Sequence, residues 1–232
     1  MAWPGCCEKT TLFSWLRDSV GMGRLDSLLC EIRKLTRGFL GNKKDERAAA
    51  RAFRDLSSLM LRHTILAKDV DVGFYSGEAS DIFTLGGRPL PTTPLRIRNG
   101  RFLAYSVQLF LDGDTGRLKV SKSRYQYQLD EQGDQWAFRY EYLRDPKNKH
   151  PAAHLHVRGK LEESCIGSGA LLERIHFPTD RVSIEAVIRL LIDHFGVETV
   201  DSAPIWRPAL LESEKQFRAI AHQPLNEAQG RD

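Results

Sequence analysis

Residues 136–143 read WAFRYEYL, and residues 153–158 read AHLHVR. Both segments alternate between apolar and polar side chains, and a period of two is typical of β-strands. In the second segment Leu155 and Val157 should therefore face one side of a sheet. His154 and His156 should face the other side. Because only a short connection separates the segments, we expect them to be neighbouring antiparallel strands.

The same alternation extends on both sides of this pair. The candidate strands are Val70–Tyr75, Leu95–Ile97, Arg101–Leu111, Arg117–Leu129, Trp136–Leu143 and Ala153–Lys160. They are separated by short connections rich in Gly, Asn and Asp, such as residues 112–116 and 130–134. Short turns between successive strands predict an antiparallel β-meander.

Helical periodicity surrounds this central region. Leucine and isoleucine recur at spacings of three and four in residues 25–35, and a second apolar stripe runs through residues 53–60. Near the C-terminus, Ser183 can cap a helix that ends at Gly196. The sequence thus predicts an α+β protein with N-terminal helices, an antiparallel β-meander and a C-terminal helix packed on one sheet face.

This pattern divides the chain into three parts. We expect a basic helical segment at 1–68, an antiparallel sheet with a covering helix at 69–203, and a partly disordered C-terminal tail at 204–232.

Composition narrows the functional classes. The chain has 232 residues, of which 41% are hydrophobic, and it contains no run of about 18 apolar residues that could span a bilayer. The N-terminus lacks the features of a secretory signal, so we expect a cytoplasmic protein without a membrane partner. The four cysteines form no Cys-x-x-Cys pair, and no phosphate-binding loop, dinucleotide fingerprint or nucleophile elbow is present.

The net charge of +4 is unevenly distributed. Residues 1–68 hold 13 basic and 7 acidic residues, whereas the remaining chain has a net charge of −2. Arg47, Arg51 and Arg54 lie largely off the apolar stripe of the second helix and are candidate nucleic-acid-binding residues. The alternative is a solvated helix face without a ligand.

The two segments quoted first also contain the candidate site. If they pair, one sheet face carries five polar side chains, while the aromatic residues of the first segment face the core with Leu155 and Val157. The polar set is Arg139, Glu141, His154, His156 and Arg158, and the aromatic set is Trp136, Phe138, Tyr140 and Tyr142.

Two chemistries fit the polar set. His154 and His156 could act as acid and base in RNA cleavage, with Arg139 and Arg158 as phosphate clamps. Alternatively, the two imidazoles and Glu141 could bind a divalent transition metal. His150 and His176 could complete either site, so the sequence leaves the cofactor open.

Residues 118–195 resemble the TumE family of prokaryotic toxin components. The resemblance rests on a strand that ends in Tyr125-Gln126-Tyr127, a strand with Arg139-Tyr140, a loop with His150-Pro151, and the His154-x-His156 strand with its closing helix. It implies a small toxin that a cognate antitoxin neutralises, with the histidine segment as its working surface.

The resulting hypothesis is a toxin-like or defence-related protein that acts on RNA as a ribonuclease. Its catalytic residues would be His154, His156, Arg139 and Glu141, and its partners RNA and an antitoxin or another protein. Two alternatives remain: a non-catalytic module that binds protein or nucleic acid, and a metal-dependent enzyme that acts on a small molecule.

Overall fold

A computed structural model describes residues 9–41, 45–77, 82–113, 117–147, 151–159 and 175–221. Within these ranges the chain forms four helices and one eight-stranded antiparallel sheet, which confirms the predicted α+β class. The helices are α1 (Lys9–Gly41), α2 (Glu46–Arg62), α3 (Ile184–Phe195) and α4 (Ala203–Ala221).

The strands run in chain order through the middle of the molecule. They are β1 (Gly73–Ser76), β2 (Ile82–Gly86), β3 (Leu95–Arg96), β4 (Phe102–Asp112), β5 (Arg117–Gln128), β6 (Trp136–Leu143), β7 (Ala153–Val157) and β8 (Phe177–Pro178). The spatial order is β1-β2-β4-β5-β6-β7-β8, and β3 pairs with β4 beside β2. From β4 to β7 the neighbours are also successive in sequence, as expected for a meander.

One face of the sheet packs against helices. Residues of β4, β5 and β6 on this face are fully or nearly buried, including Tyr105, Tyr125 and Phe138. Phe195 at the end of α3 contacts the rings of Tyr127 and Phe138 at centroid distances of 5.0 and 5.2 Å. The C-terminal helix therefore covers the sheet, as predicted from its apolar stripe.

The helices also pack on one another. The sheet contacts α2 directly, and α2 in turn contacts α3, whereas α1 packs on α2 and α4. The Ser183 side chain caps α3 by accepting a hydrogen bond from Ala186, and Gly196 ends the helix in the left-handed conformation at φ 63°. The cap of α2 is Asp45, which accepts from the Ala48 backbone N–H at 2.8 Å.

Two short strands are absent from the predicted set. Both β2 and β8 pair with longer strands, and β8 has only two residues, so neither shows a period that sequence could reveal. Helix α4 covers 19 residues, Ala203–Ala221, in the first part of the segment that we predicted as the C-terminal tail. None of the helices in the described ranges is both long enough and apolar enough to cross a membrane.

Candidate metal centre

The candidate site lies on the face of β6 and β7 that points away from the helices. The strands pair so that Arg139 stands opposite His156 and Glu141 opposite His154. This register brings together the four side chains that the sequence analysis named as catalytic. The sheet also fixes their spacing, because side chains that are directly opposite in an antiparallel pair are close neighbours.

The Glu141 carboxylate lies at the centre of this group. Its Oε2 atom is 3.4 Å from Nε2 of His156 and 3.7 Å from Nε2 of His154. The same oxygen is 3.3 Å from Nε of Arg139. One carboxylate oxygen thus faces two imidazoles and a guanidinium.

A third imidazole arrives from a distant part of the chain. The pairing of Phe177 in β8 with Leu155 in β7 places the preceding residue, His176, over the other two rings. The ring of His176 stacks on that of His154 with centroids 4.8 Å apart, and it lies 4.4 Å from the ring of His156. We call His154, His156 and His176 the histidine cluster.

The histidine cluster has the arrangement of a metal-ligand set. Each imidazole offers one ring nitrogen, and these three atoms lie within 4.8 Å of one another. His156 is buried at 4% exposure, and the side chain of His154 is 12% exposed. The polar sheet face is therefore largely covered at this point.

The ring of His154 is oriented by the loop before β7. Its Nδ1 lies 2.9 Å from the backbone carbonyl oxygen of Pro151. A carbonyl oxygen can only accept, so Nδ1 carries a hydrogen in this bond. In a neutral ring this leaves the lone pair on Nε2, the atom that faces Glu141. Metal-binding histidines commonly show this hydrogen bond from the second ring nitrogen to a backbone carbonyl.

The aromatic residue at the start of β6 lies on the polar face, contrary to our prediction. The register between β5 and β6 shifts so that Phe138 pairs with Tyr127 but Trp136 pairs with Gln128, which skips Ala137. Such a bulge changes the face on which the following side chain lies. Trp136 consequently stacks with Arg139, whose guanidinium carbon is 5.3 Å from the ring centroid.

Arg158 lies at the margin of the site. It is exposed, its guanidinium donates to the backbone carbonyl of Asp134, and its guanidinium carbon lies 5.9 Å from the Trp136 ring centroid. Arg158 therefore contacts the β5–β6 connection and the bulge.

Arg124 of β5 was missed by the sequence analysis. It pairs with Glu141 across the strands and so joins the same polar face. Its Nη2 donates to Oε1 of Gln126 at 2.7 Å, and Nε2 of Gln126 donates to Oε1 of Gln128 at 2.9 Å. The spacing of these three residues by two on a predicted strand was the available signal.

The arginines of α2 lie at the opposite edge of the sheet from the histidine cluster. Arg47 donates to the hydroxyl of Ser76 at 2.8 Å, and Arg51 lies over the ring of Phe74. Ser76 and Phe74 both belong to β1. Arg54 forms an ion pair with Asp55 at 2.8 Å. The structure therefore separates the two groups of candidate residues, and His150 lies outside the described residues.

We compared the chain with known proteins and found no match. No protein-family model, no curated protein and no solved structure matches the chain. The resemblance to the TumE family therefore stays a prediction from the residues.

Proposed function

We propose that this protein is a metal-dependent enzyme whose divalent transition metal is bound by the histidine cluster, with Glu141 as the fourth ligand. The observation that carries the proposal is the convergence of three imidazole nitrogens within 4.8 Å of one another. Imidazole and carboxylate ligands suit Zn²⁺, Fe²⁺ and Mn²⁺ in proteins. A metal held there with a further coordination position open would polarise a substrate oxygen or lower the pKa of a bound water molecule.

The position of Glu141 supports its role as a ligand. Metal–ligand bonds of about 2.0–2.1 Å place neighbouring ligands about 3.0–3.4 Å apart for ligand–metal–ligand angles of about 90–109°. The distances from Glu141 Oε2 to Nε2 of His156 and of His154, 3.4 and 3.7 Å, are close to this spacing. The nitrogen of His176 would complete the set after a small inward movement.

The hydrogen bond of His154 provides a second argument. Because Nδ1 carries a hydrogen, a neutral ring would direct the lone pair of Nε2 at the Glu141 oxygen. Two acceptor atoms repel each other unless a cation lies between them. That cation is either a metal ion or a proton on Nε2, and the convergence of three ring nitrogens within 4.8 Å of one another favours the metal.

Metal analysis of protein purified without an affinity tag tests the proposal. We expect about one transition metal per chain in the wild type and loss of this metal in His156→Ala and His176→Ala. His194→Ala is the matched control, since His194 is an exposed histidine at the end of α3. A wild type that binds no Zn²⁺, Mn²⁺ or Fe²⁺ even after reconstitution would refute the metal centre.

A second candidate is the ribonuclease predicted from the sequence. The position of Arg139 favours it, since this guanidinium lies beside Glu141 and opposite His156, where it could stabilise a phosphorane. In this case His154 and His156 exchange protons with the RNA, and no metal is needed. An RNA cleavage assay in excess chelator distinguishes the metal-dependent from the metal-free mechanism. Cleavage that persists in the chelator and is abolished by His154→Ala and by His156→Ala supports the metal-free mechanism.

The toxin-like role is proposed from the sequence resemblance. We expect expression in the bacterial cytoplasm to arrest growth, the His156→Ala variant to be tolerated, and a cognate antitoxin to restore growth. Equal growth with wild type and variant would contradict this role without bearing on metal binding.

A further inference from the structure

Two guanidinium groups lie beside the histidine cluster on the same sheet face. Arg139 lies opposite His156, and Arg124 lies opposite Glu141 on the other neighbouring strand. We call Arg124 and Arg139 the arginine pair. The pair carries two positive charges, and Glu141 contributes one negative charge.

Neighbouring side chains hold Arg124 in place. Its Nη2 donates to the side-chain oxygen of Gln126, and the amide nitrogen of Gln126 donates in turn to the side-chain oxygen of Gln128. The amide nitrogen of Gln128 donates to the Asp130 carbonyl oxygen at 2.9 Å. Gln126 and Gln128 are both buried at 3% exposure. This chain of hydrogen bonds along β5 fixes the direction of the guanidinium and preorganises it for a ligand.

The guanidinium of Arg124 donates to a neutral amide, that of Gln126. Its buried Nε has no hydrogen-bond partner within the ranges that the structure describes. Burial lowers the pKa of Arg124, and the nearby charge of Arg139 lowers it further, whereas Glu141 raises it. A buried cationic N–H group without an acceptor is costly, and a bound water molecule or anion would satisfy it.

Arg139 is held by an aromatic ring and a carboxylate. Its guanidinium packs over Trp136, and its Nε lies 3.3 Å from Glu141 Oε2 but forms no hydrogen bond within the described part of the chain. Aromatic stacking leaves the edge of a guanidinium available for bidentate recognition of an oxyanion. If Glu141 binds the metal, the positive charge at this face rises further.

We propose that the substrate of this centre carries an oxyanion, a phosphate or a carboxylate, and that the arginine pair binds this group beside the metal. The inference rests on the proposed metal-dependent function, and it assigns Arg124 and Arg139 to substrate binding. A phosphodiester, as in RNA, belongs to the same chemical class.

Calorimetric titration of the full chain with inorganic phosphate, and separately with acetate, tests the inference. The protein is titrated both metal-free and after reconstitution. We expect wild type to bind at least one of the two anions, and Arg124→Gln to weaken this binding about tenfold to a hundredfold. Lys122→Gln is the control, because Lys122 is an exposed cation two residues earlier on β5; its affinity should stay within about twofold of the wild type.

Equal affinities for Arg124→Gln and Lys122→Gln, or no binding of either anion by the wild type, would overturn the inference. Circular dichroism checks folding, and Arg139→Gln serves as a second variant if Arg124→Gln is unfolded. Metal content is measured on the same samples. Anion binding through the arginine pair in protein that takes up no metal on reconstitution would support the oxyanion site while refuting the metal centre. Bound metal without anion binding would refute the oxyanion site alone.

Discussion

The imidazole rings of His154 and His176 stack with their centroids 4.8 Å apart and their planes at 13° to each other. The two residues belong to separate segments that only the β7–β8 pairing brings together. A two-residue strand therefore completes the histidine cluster. This connects the stability of the sheet edge directly to the chemistry of the site.

The first prediction concerns the fourth ligand. Glu141→Gln keeps the shape of the side chain but removes its charge, so we expect metal affinity to fall at least about tenfold. Competition with a chromophoric chelator measures this affinity. Glu131→Gln provides the control, since Glu131 is exposed in the β5–β6 connection. If both variants bind metal equally well, Glu141 is not a ligand.

The pairing of the site strands was predictable because their polar and apolar side chains alternate and short connections join them. That reasoning placed Arg139 opposite the His-x-His strand and grouped it with Glu141, as the structure shows. It failed at Trp136, because a bulge shifts the register at the start of β6 and changes the face of this side chain.

The sequence analysis named His176 as a residue that could complete the site, but it could not place this ring beside the other two. No local period marks β8, and its position depends on a tertiary pairing between residues distant in sequence. The role of Arg124 required the β5–β6 register, which sequence alternation alone leaves open. Local patterns therefore placed two imidazoles of the cluster on one sheet face, while the strand pairing positioned the third imidazole and the second guanidinium.

The second prediction concerns Gly87, in the connection after β2. An added Cβ would lie 1.9 Å from the backbone oxygen of Thr93, which cannot move as a flexible side chain does. We expect Gly87→Ala to destabilise the protein by about 2 kcal/mol. Gly21→Ala is the contrasting variant, because Gly21 lies within α1 with nothing within 4 Å of the added atom. It should stabilise by about 0.5–1 kcal/mol, and urea denaturation with the reverse order would contradict both expectations.

The third prediction concerns Asp201, which links three parts of the helical region. Its buried carboxylate binds Arg24 of α1 at 2.7 Å and His63 after α2 at 2.9 Å. We expect Asp201→Asn to reduce the free energy of unfolding by about 1–3 kcal/mol, because both charge-assisted bonds are lost. The comparison is Asp193→Asn, whose pair with Arg207 is partly exposed and should contribute under about 1 kcal/mol. Similar midpoints in urea for the two variants would argue against this role.

The last prediction concerns Glu185, a carboxyl group of α3 that is 4% exposed. Burial raises its pKa, the nearby Glu214 raises it further, and the 2.6 Å hydrogen bond from Ser213 opposes this shift. Because the folded state holds this proton more tightly than the unfolded state, the free energy of unfolding falls as pH increases above the unfolded pKa. The fall ends once the pH exceeds the folded pKa.

Glu185→Gln mimics the protonated side chain, so its melting temperature should exceed that of the wild type at pH 8 and differ little from it at pH 4. Glu198→Gln, at an exposed position, should follow the wild-type profile. Parallel melting profiles for Glu185→Gln and wild type between these pH values would show that folding does not raise the pKa of Glu185.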